Sequence, residues 1–94
     1  MVERHALPEI EAKVKQLLVS ELNVNPTAIA ASDSGTPLLG RGIGLDSVET
    51  MALILAIEEE FEISVPNSDL TAALFETIET LTKYVSQKIT AREG

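Results

Sequence analysis

Cysteine and tryptophan are absent from this chain, and its only aromatic side chains are Phe61, Phe75 and Tyr84. Without cysteine there can be no disulfide and no thiolate metal site, and a reducing compartment fits. With so few rings the core has to be aliphatic, which suits packed helices better than a small β-barrel. Histidine is nearly as scarce. His5 has no second ligand beside it and reads as a solvent-exposed bystander, so no metal site is expected. Basic residues are also short, with 7 Lys and Arg against 15 Asp and Glu and a net charge of −8. That balance argues against nucleic-acid binding, which needs cations to neutralise phosphates, and favours basic protein partners. Long apolar runs are missing too. The longest, Met51 to Ile57, falls far short of the roughly 20 residues that span a bilayer, and residues 1–8 contain no apolar signal core. The expectation is a cytoplasmic protein with no membrane insertion.

What is present is a chain of 94 residues, 45% of them apolar, enough to bury one small core. It reads as one domain over residues 1–94, and as a monomer. From Leu7 to Leu22 the residues Ile10, Val14, Leu17 and Leu18 mark one face of an amphipathic helix, with Pro8 suited to its first turn. Asn23 and Asn25-Pro26 stop it, and Asn25 can cap a single turn over Pro26 to Ile29. Residues 30–46 read as a long loop holding four of the five glycines, pinned to the bundle by Leu38, Leu39, Ile43 and Leu45. A second main helix is expected from Ser47 to about Glu62. An extended connector, Ile63 to Pro66, follows, since proline biases the residue before it away from helix. A short third helix is expected across Leu70 to Leu74, with caps available at Asn67, Ser68 and Asp69. A final helix is expected from Ile78 to Ile89 behind Thr77, ending in a frayed tail over Ala91 to Gly94. The fold class is all-α: a four-helix bundle of three main helices and a short third one, with a long loop between the first and second.

Ser47 stands where the glycine-rich loop meets the second main helix, beside free backbone N–H groups that favour a phosphate. The plain alternative is helix capping, because Asp46-Ser47-Val48-Glu49 has the spacing of a capping box. Nucleophilic catalysis is not expected: a catalytic serine needs a positioned base, and the single histidine is His5. Gly40-Arg41-Gly42-Ile43-Gly44 has neither the preceding strand nor the Gly-Lys-Ser/Thr ending of a nucleotide loop, and a flexible hinge is the better reading. Ser47 is thus better suited to be another enzyme's substrate than a catalyst, and the chain is not expected to be an enzyme.

The helix that follows has two apolar sides. At about 100° per residue, Leu53, Ile54, Ile57 and Phe61 share one side, while Val48, Met51, Ala52 and Leu55 share the other. One side suffices for a small bundle; the other is either covered by the loop and third helix or left open as a contact stripe. Glu49, Glu58, Glu59, Glu60 and Glu62 flank it, with no basic residue from 47 to 62. They form either a solvated face or a docking surface for basic grooves.

The segments Thr36-Pro37-Leu38-Leu39, Gly44-Leu45-Asp46-Ser47-Val48-Glu49, Ala56-Ile57-Glu58-Glu59-Glu60-Phe61 and Val65-Pro66 together resemble those of acyl carrier proteins, over nearly the whole chain. The resemblance implies that Ser47 carries 4′-phosphopantetheine, donated by coenzyme A and attached by a phosphopantetheinyl transferase, with Asp46 supporting the attachment. It implies acyl groups held as thioesters on that arm. It also implies partner contacts through Val48, Glu49, Met51, Leu55, Glu58 and Glu59 with acyl-loading, acyl-transfer or synthase enzymes that present basic surfaces. Fatty-acid, polyketide or related specialised pathways would be served. Departures from the common pattern are a longer, glycine-rich loop containing Arg41, Ala52 in place of a glutamate, and only Asp69 and Glu76 as acids over residues 67–77. They point to a stand-alone carrier of a specialised pathway. Two other readings stay open: a peptidyl or aryl carrier of a nonribosomal system, and an unmodified helical interaction module.

Overall fold

The computed structural model describes residues 7–40 and 42–93, without the side chains of Arg92 and Glu93; His5, Arg41 and Gly94 lie outside the described residues. Four α-helices follow in order: α1 (Leu7–Leu22), α2 (Pro26–Ala30), α3 (Ser47–Phe61) and α4 (Ile78–Glu93), with a 3-10 turn at Asn67–Asp69 between the last two. Among the described residues there is no strand, and no helix is long and apolar enough to cross a membrane.

Local chemistry sets most of the boundaries. α1 ends where Asn23 takes a left-handed backbone (φ 58°), letting the Val24 amide turn back to the Leu18 carbonyl. Asn25 then accepts a 2.8 Å hydrogen bond from the Thr27 amide, and Pro26 fills the first position of α2, where its missing N–H costs nothing. α3 starts behind a full capping box: the Glu49 amide donates to Asp46 at 2.7 Å and the Asp46 amide to Glu49 at 3.0 Å. It stops at left-handed Glu62. α4 opens behind Thr77, whose hydroxyl accepts from the Thr80 amide.

Two expectations are corrected. No α-helix covers Leu70 to Leu74. The helical turn comes earlier, at Asn67–Asp69, and the chain continues in tight turns in which the amides of Leu74, Phe75 and Glu76 bond three residues back. The reason is that the expected caps are not used as caps: Asp69 is taken by Tyr84 and Lys88 of α4, and Leu70 leaves helical geometry (ψ 80°) where the α-helix would have to begin. At the other end α4 continues to Glu93 rather than fraying after Ile89, because no breaker interrupts Thr90 to Glu93.

The core is aliphatic around two phenylalanines. Ile10, Val14 and Leu18 of α1 meet Leu53, Ile54, Ile57 and Phe61 of α3 and Ile78, Leu81, Val85 and Ile89 of α4. α1 packs against both α3 and α4 and lies at the centre of the bundle. Lys13, midway along α1, pairs with Glu60 near the end of α3 at 3.5 Å. The long loop is no free linker: Leu38 and Leu45 are buried, and Leu39 and Ile43 pack against the same core.

Candidate functional site

The site is the junction of the long loop and α3. Ser47 is the first residue of α3, and its side chain is exposed. Asp46, the cap, holds the Glu49 amide, and the Thr50 amide is taken by the Asp46 carbonyl. The Ser47 and Val48 amides are left at the positive end of the helix dipole, facing solvent. The Ser47 hydroxyl makes no hydrogen bond to the described residues, whereas the neighbouring Thr50 hydroxyl is tied to the Ser47 carbonyl at 2.9 Å. An exposed, uncommitted hydroxyl beside two free amides can be esterified without giving up a hydrogen bond to the described residues.

The glycine-rich stretch before it is not the flexible hinge that its composition suggests. The Ile43 amide donates to the Pro37 carbonyl at 2.8 Å and the Leu45 amide to the Leu38 carbonyl at 2.9 Å, so the chain closes on itself just before Asp46. At Gly42 a Cβ would sit 1.8 Å from the Pro37 carbonyl oxygen. Glycine is there because two backbone segments touch. The upstream end of the loop is anchored as well: the carbonyls of Thr36 and Ser34 accept from the first amides of α4, those of Ile78 and Glu79, at 3.0 and 2.8 Å. Ser34 also donates to Glu11, and Lys15 donates to the Ser32 carbonyl, tying the loop to α1.

Along α3 the two apolar sides separate cleanly. Leu53, Ile54, Ile57 and Phe61 are buried; Val48 is 74% exposed, Met51 46% and Leu55 62%. Ala52 is exposed between them, so the stripe is open rather than covered by the loop. With about 100° per residue, Val48, Ala52, Leu55 and Glu59 form one line that begins beside Ser47.

The acidic residues of this helix do not share one role. Four of them stand near the C-terminal end of α3, where the dipole disfavours negative charge. The Glu58 carboxylate accepts the Val65 amide at 2.7 Å and fastens the connector to the helix. Glu60 pairs with Lys13, and Glu62 forms the left-handed end of the helix. Glu59 is exposed and has no partner among the described residues. Glu49 is spent on the capping box. Of the acids singled out from sequence, Glu59 is therefore the one fully presented to solvent on the line of the stripe.

Sequence reading missed a polar tie on the far side of α4. The Tyr84 hydroxyl donates to Asp69 at 2.6 Å, Lys88 approaches the same carboxylate at 3.6 Å, and its ammonium lies 5.6 Å from the Tyr84 ring centre. Partial burial, then the Asp69 hydrogen bond and the negative charges of Asp69 and Glu58, push the tyrosine well above its ordinary range. The available signal was the four-residue spacing of Tyr84 and Lys88 on one helix face. No group of three or more His, Asp or Glu among the described residues could hold a metal ion. Several surface clefts lie among the described residues, and two of them flank α4. One, of about 550 Å³, lies between α1 and α4 and is lined by Ala12, Lys15 and Thr82 among others. The second, of about 490 Å³, lies between the 3-10 turn and α4. Ser47 lines neither.

Comparison with known proteins bears directly on this junction. A family model described as a phosphopantetheine attachment site matches residues 12–85, which take in Ser47 and all of α3. An acyl carrier protein of Bdellovibrio bacteriovorus is 32% identical over 79 residues, covering 84% of this chain and 94% of that protein. An acyl carrier protein of Thermosynechococcus vestitus is 28% identical over 83 residues, covering 88% and 95% respectively.

Proposed function

The chain belongs to the acyl carrier protein family, whose members carry 4′-phosphopantetheine, and from that premise we propose that Ser47 is the attachment point. The observation that carries this reading is the exposed Ser47 side chain at the first residue of α3, with no hydrogen bond to the described residues and two free amides beside it. The Ser47 oxygen would bond to the pantetheine-side phosphorus of the coenzyme A diphosphate, its proton passing to a base of the transferase, while the P–O bond of the diphosphate bridge breaks and adenosine 3′,5′-bisphosphate leaves. The amides of Ser47 and Val48 would adjoin the resulting phosphodiester anion, whose charge the helix dipole would favour. Asp46 supports the attachment by holding the first turn of α3 open-ended and rigid. When bound, the arm supplies a terminal thiol that carries acyl groups as thioesters.

The chain itself acts as a carrier and a substrate of other enzymes. Val48, Met51, Ala52 and Leu55 offer an apolar strip, and Glu49 and Glu59 give it a negative margin, complementary to transferases and synthases with basic docking surfaces. Such docking is fast to form and to release, as a shuttle between enzymes requires. Glu58 belongs to this surface only through its charge, since its carboxylate is engaged with Val65. Ala52 widens the apolar strip where a glutamate is common in fatty-acid carriers, and this supports a stand-alone carrier in a polyketide or related specialised acyl pathway.

Intact-mass measurement tests the assignment. Incubation with coenzyme A, magnesium and a broad phosphopantetheinyl transferase adds a single phosphopantetheine to the wild type and none to Ser47→Ala. Label recovered on peptides containing Ser20, Ser64 or Ser86 would overturn the assignment, and so would the absence of label with several competent transferases.

A further inference from the structure

A transferase that grips the α3 stripe still has to find the Ser47 oxygen at a fixed place relative to that grip. Within α3 the helix itself fixes the spacing from Ser47 to Met51 and Leu55. The direction from which the chain enters α3 depends on the loop. That entry is held at three levels. Leu38 and Leu45 are buried in the core at the two ends of the closed stretch. The amides of Ile43 and Leu45 bond the carbonyls of Pro37 and Leu38 across it. The stretch in turn hangs from α4 through the carbonyls of Ser34 and Thr36.

All of this closes only because residue 42 has no side chain. A Cβ there would lie 1.8 Å from the Pro37 oxygen, 2.6 Å from its carbonyl carbon and 2.9 Å from its nitrogen. These are backbone atoms, which cannot swing aside as a flexible side chain would. The other loop glycines differ. A Cβ at Gly40 meets nothing within 4 Å, and at Gly44 the nearest atom is 3.5 Å away. A side chain at 42 must push the Pro37 peptide outward, which pulls its carbonyl from the Ile43 amide and loosens the Leu38–Leu45 bond one residue before the Asp46 cap.

Resting on the assignment of Ser47 as the attachment point, we propose that Gly42 is a positioning residue for phosphopantetheine transfer, setting the Ser47 oxygen by letting the loop close against Pro37. Its effect falls on the chemical step rather than on docking, because the apolar stripe of α3 is untouched. Misplacing a reacting atom by about 1 Å costs on the order of a hundredfold in rate.

The test compares loading kinetics of wild type, Gly42→Ala and Gly40→Ala. Gly40 has φ 62°, so its alanine variant carries backbone strain without the collision and controls for strain alone. Gly42→Ala is expected to lose about tenfold or more in kcat with KM within about twofold, while Gly40→Ala loads like the wild type. A Gly42→Ala protein with wild-type kcat, or a loss confined to KM, overturns the proposal. If Gly42→Ala fails to fold, amide exchange on the wild type decides. Ile43 and Leu45 amides protected to the level of the α3 core support the closed loop, and exchange as fast as that of exposed loop amides overturns it. A wild type that takes no label at Ser47 would instead sink the assignment of the serine, whatever the exchange data say.

Discussion

At the scale of single residues, Tyr84 gives the cleanest readout. It is the chain's one tyrosine, and there is no tryptophan, so its ionisation can be followed alone by absorbance. Its folded-state pKa lies above the unfolded value of about 10, so its contribution to stability is intact below about pH 10 and lost as the pH rises beyond that. Tyrosinate absorbance should therefore appear together with loss of helical signal; a midpoint near 10 in a still-helical protein would show that the bond to Asp69 is not holding. Other residue roles were legible from sequence to different degrees. The capping box of Asp46 and Glu49 could be read from spacing, because a cap is local chemistry. Gly42 could not be told from Gly40 or Gly44, because what demands glycine there is the Pro37 backbone, brought against it only when the loop closes. The bond from the Val65 amide to Glu58 could not be read from spacing for a similar reason. The left-handed turn at Glu62 is what folds the chain back and delivers the Val65 amide to it.

At the scale of elements, α3 is the part that periodicity described best. A helix with two apolar sides can be recognised from spacing, and the structure settles which side is core: Leu53 and Ile57 are fully buried while Val48 is open. Two substitutions separate the roles of the sides. Phe61→Ala removes a buried ring and should cost about 3–5 kcal/mol, a large share of the stability of so small a domain. Met51→Glu keeps the sign of the surface and should change stability by no more than about 0.5 kcal/mol, while raising the transferase KM several-fold. Thermal melts and loading kinetics on both variants check this, and an exchange of the two behaviours would reverse the assignment of faces. The segment between α3 and α4 was the least legible element. Its caps at Asn67 to Asp69 suggest a following α-helix, but Asp69 is bonded to Tyr84 and Lys88 instead and the chain continues in successive tight turns. A cap read from spacing is available only if no distant side chain takes it, and Asp69 is taken by α4.

At the scale of the molecule, charge dominates. All four lysines of the described residues already have a carboxylate partner: Lys13 with Glu60, Lys15 with Glu11, Lys83 with Glu79 and Lys88 with Asp69. With a net charge of −8, the remaining acids have few cations left to offset them. Exposed pairs contribute little each, so screening should relieve more repulsion than it removes attraction. Moderate salt is therefore expected to raise the melting temperature and, in the same titration, to slow loading by a basic partner. Glu59→Lys should flatten the salt dependence of loading; turnover insensitive to salt in both proteins would mean that the acidic face is only solvated. The anchoring of α4 has a different kind of consequence. Its first two amides are satisfied by Thr36 and Ser34, which belong to a loop made long before α4 in the order of synthesis. α4, made after this loop, thus completes its opening turn on a segment that α1 already holds through Glu11 and Lys15, and its arrival adds two backbone bonds to that hold. Such mutual dependence between early and late parts of a chain favours the cooperative, two-state folding usual for a domain this small.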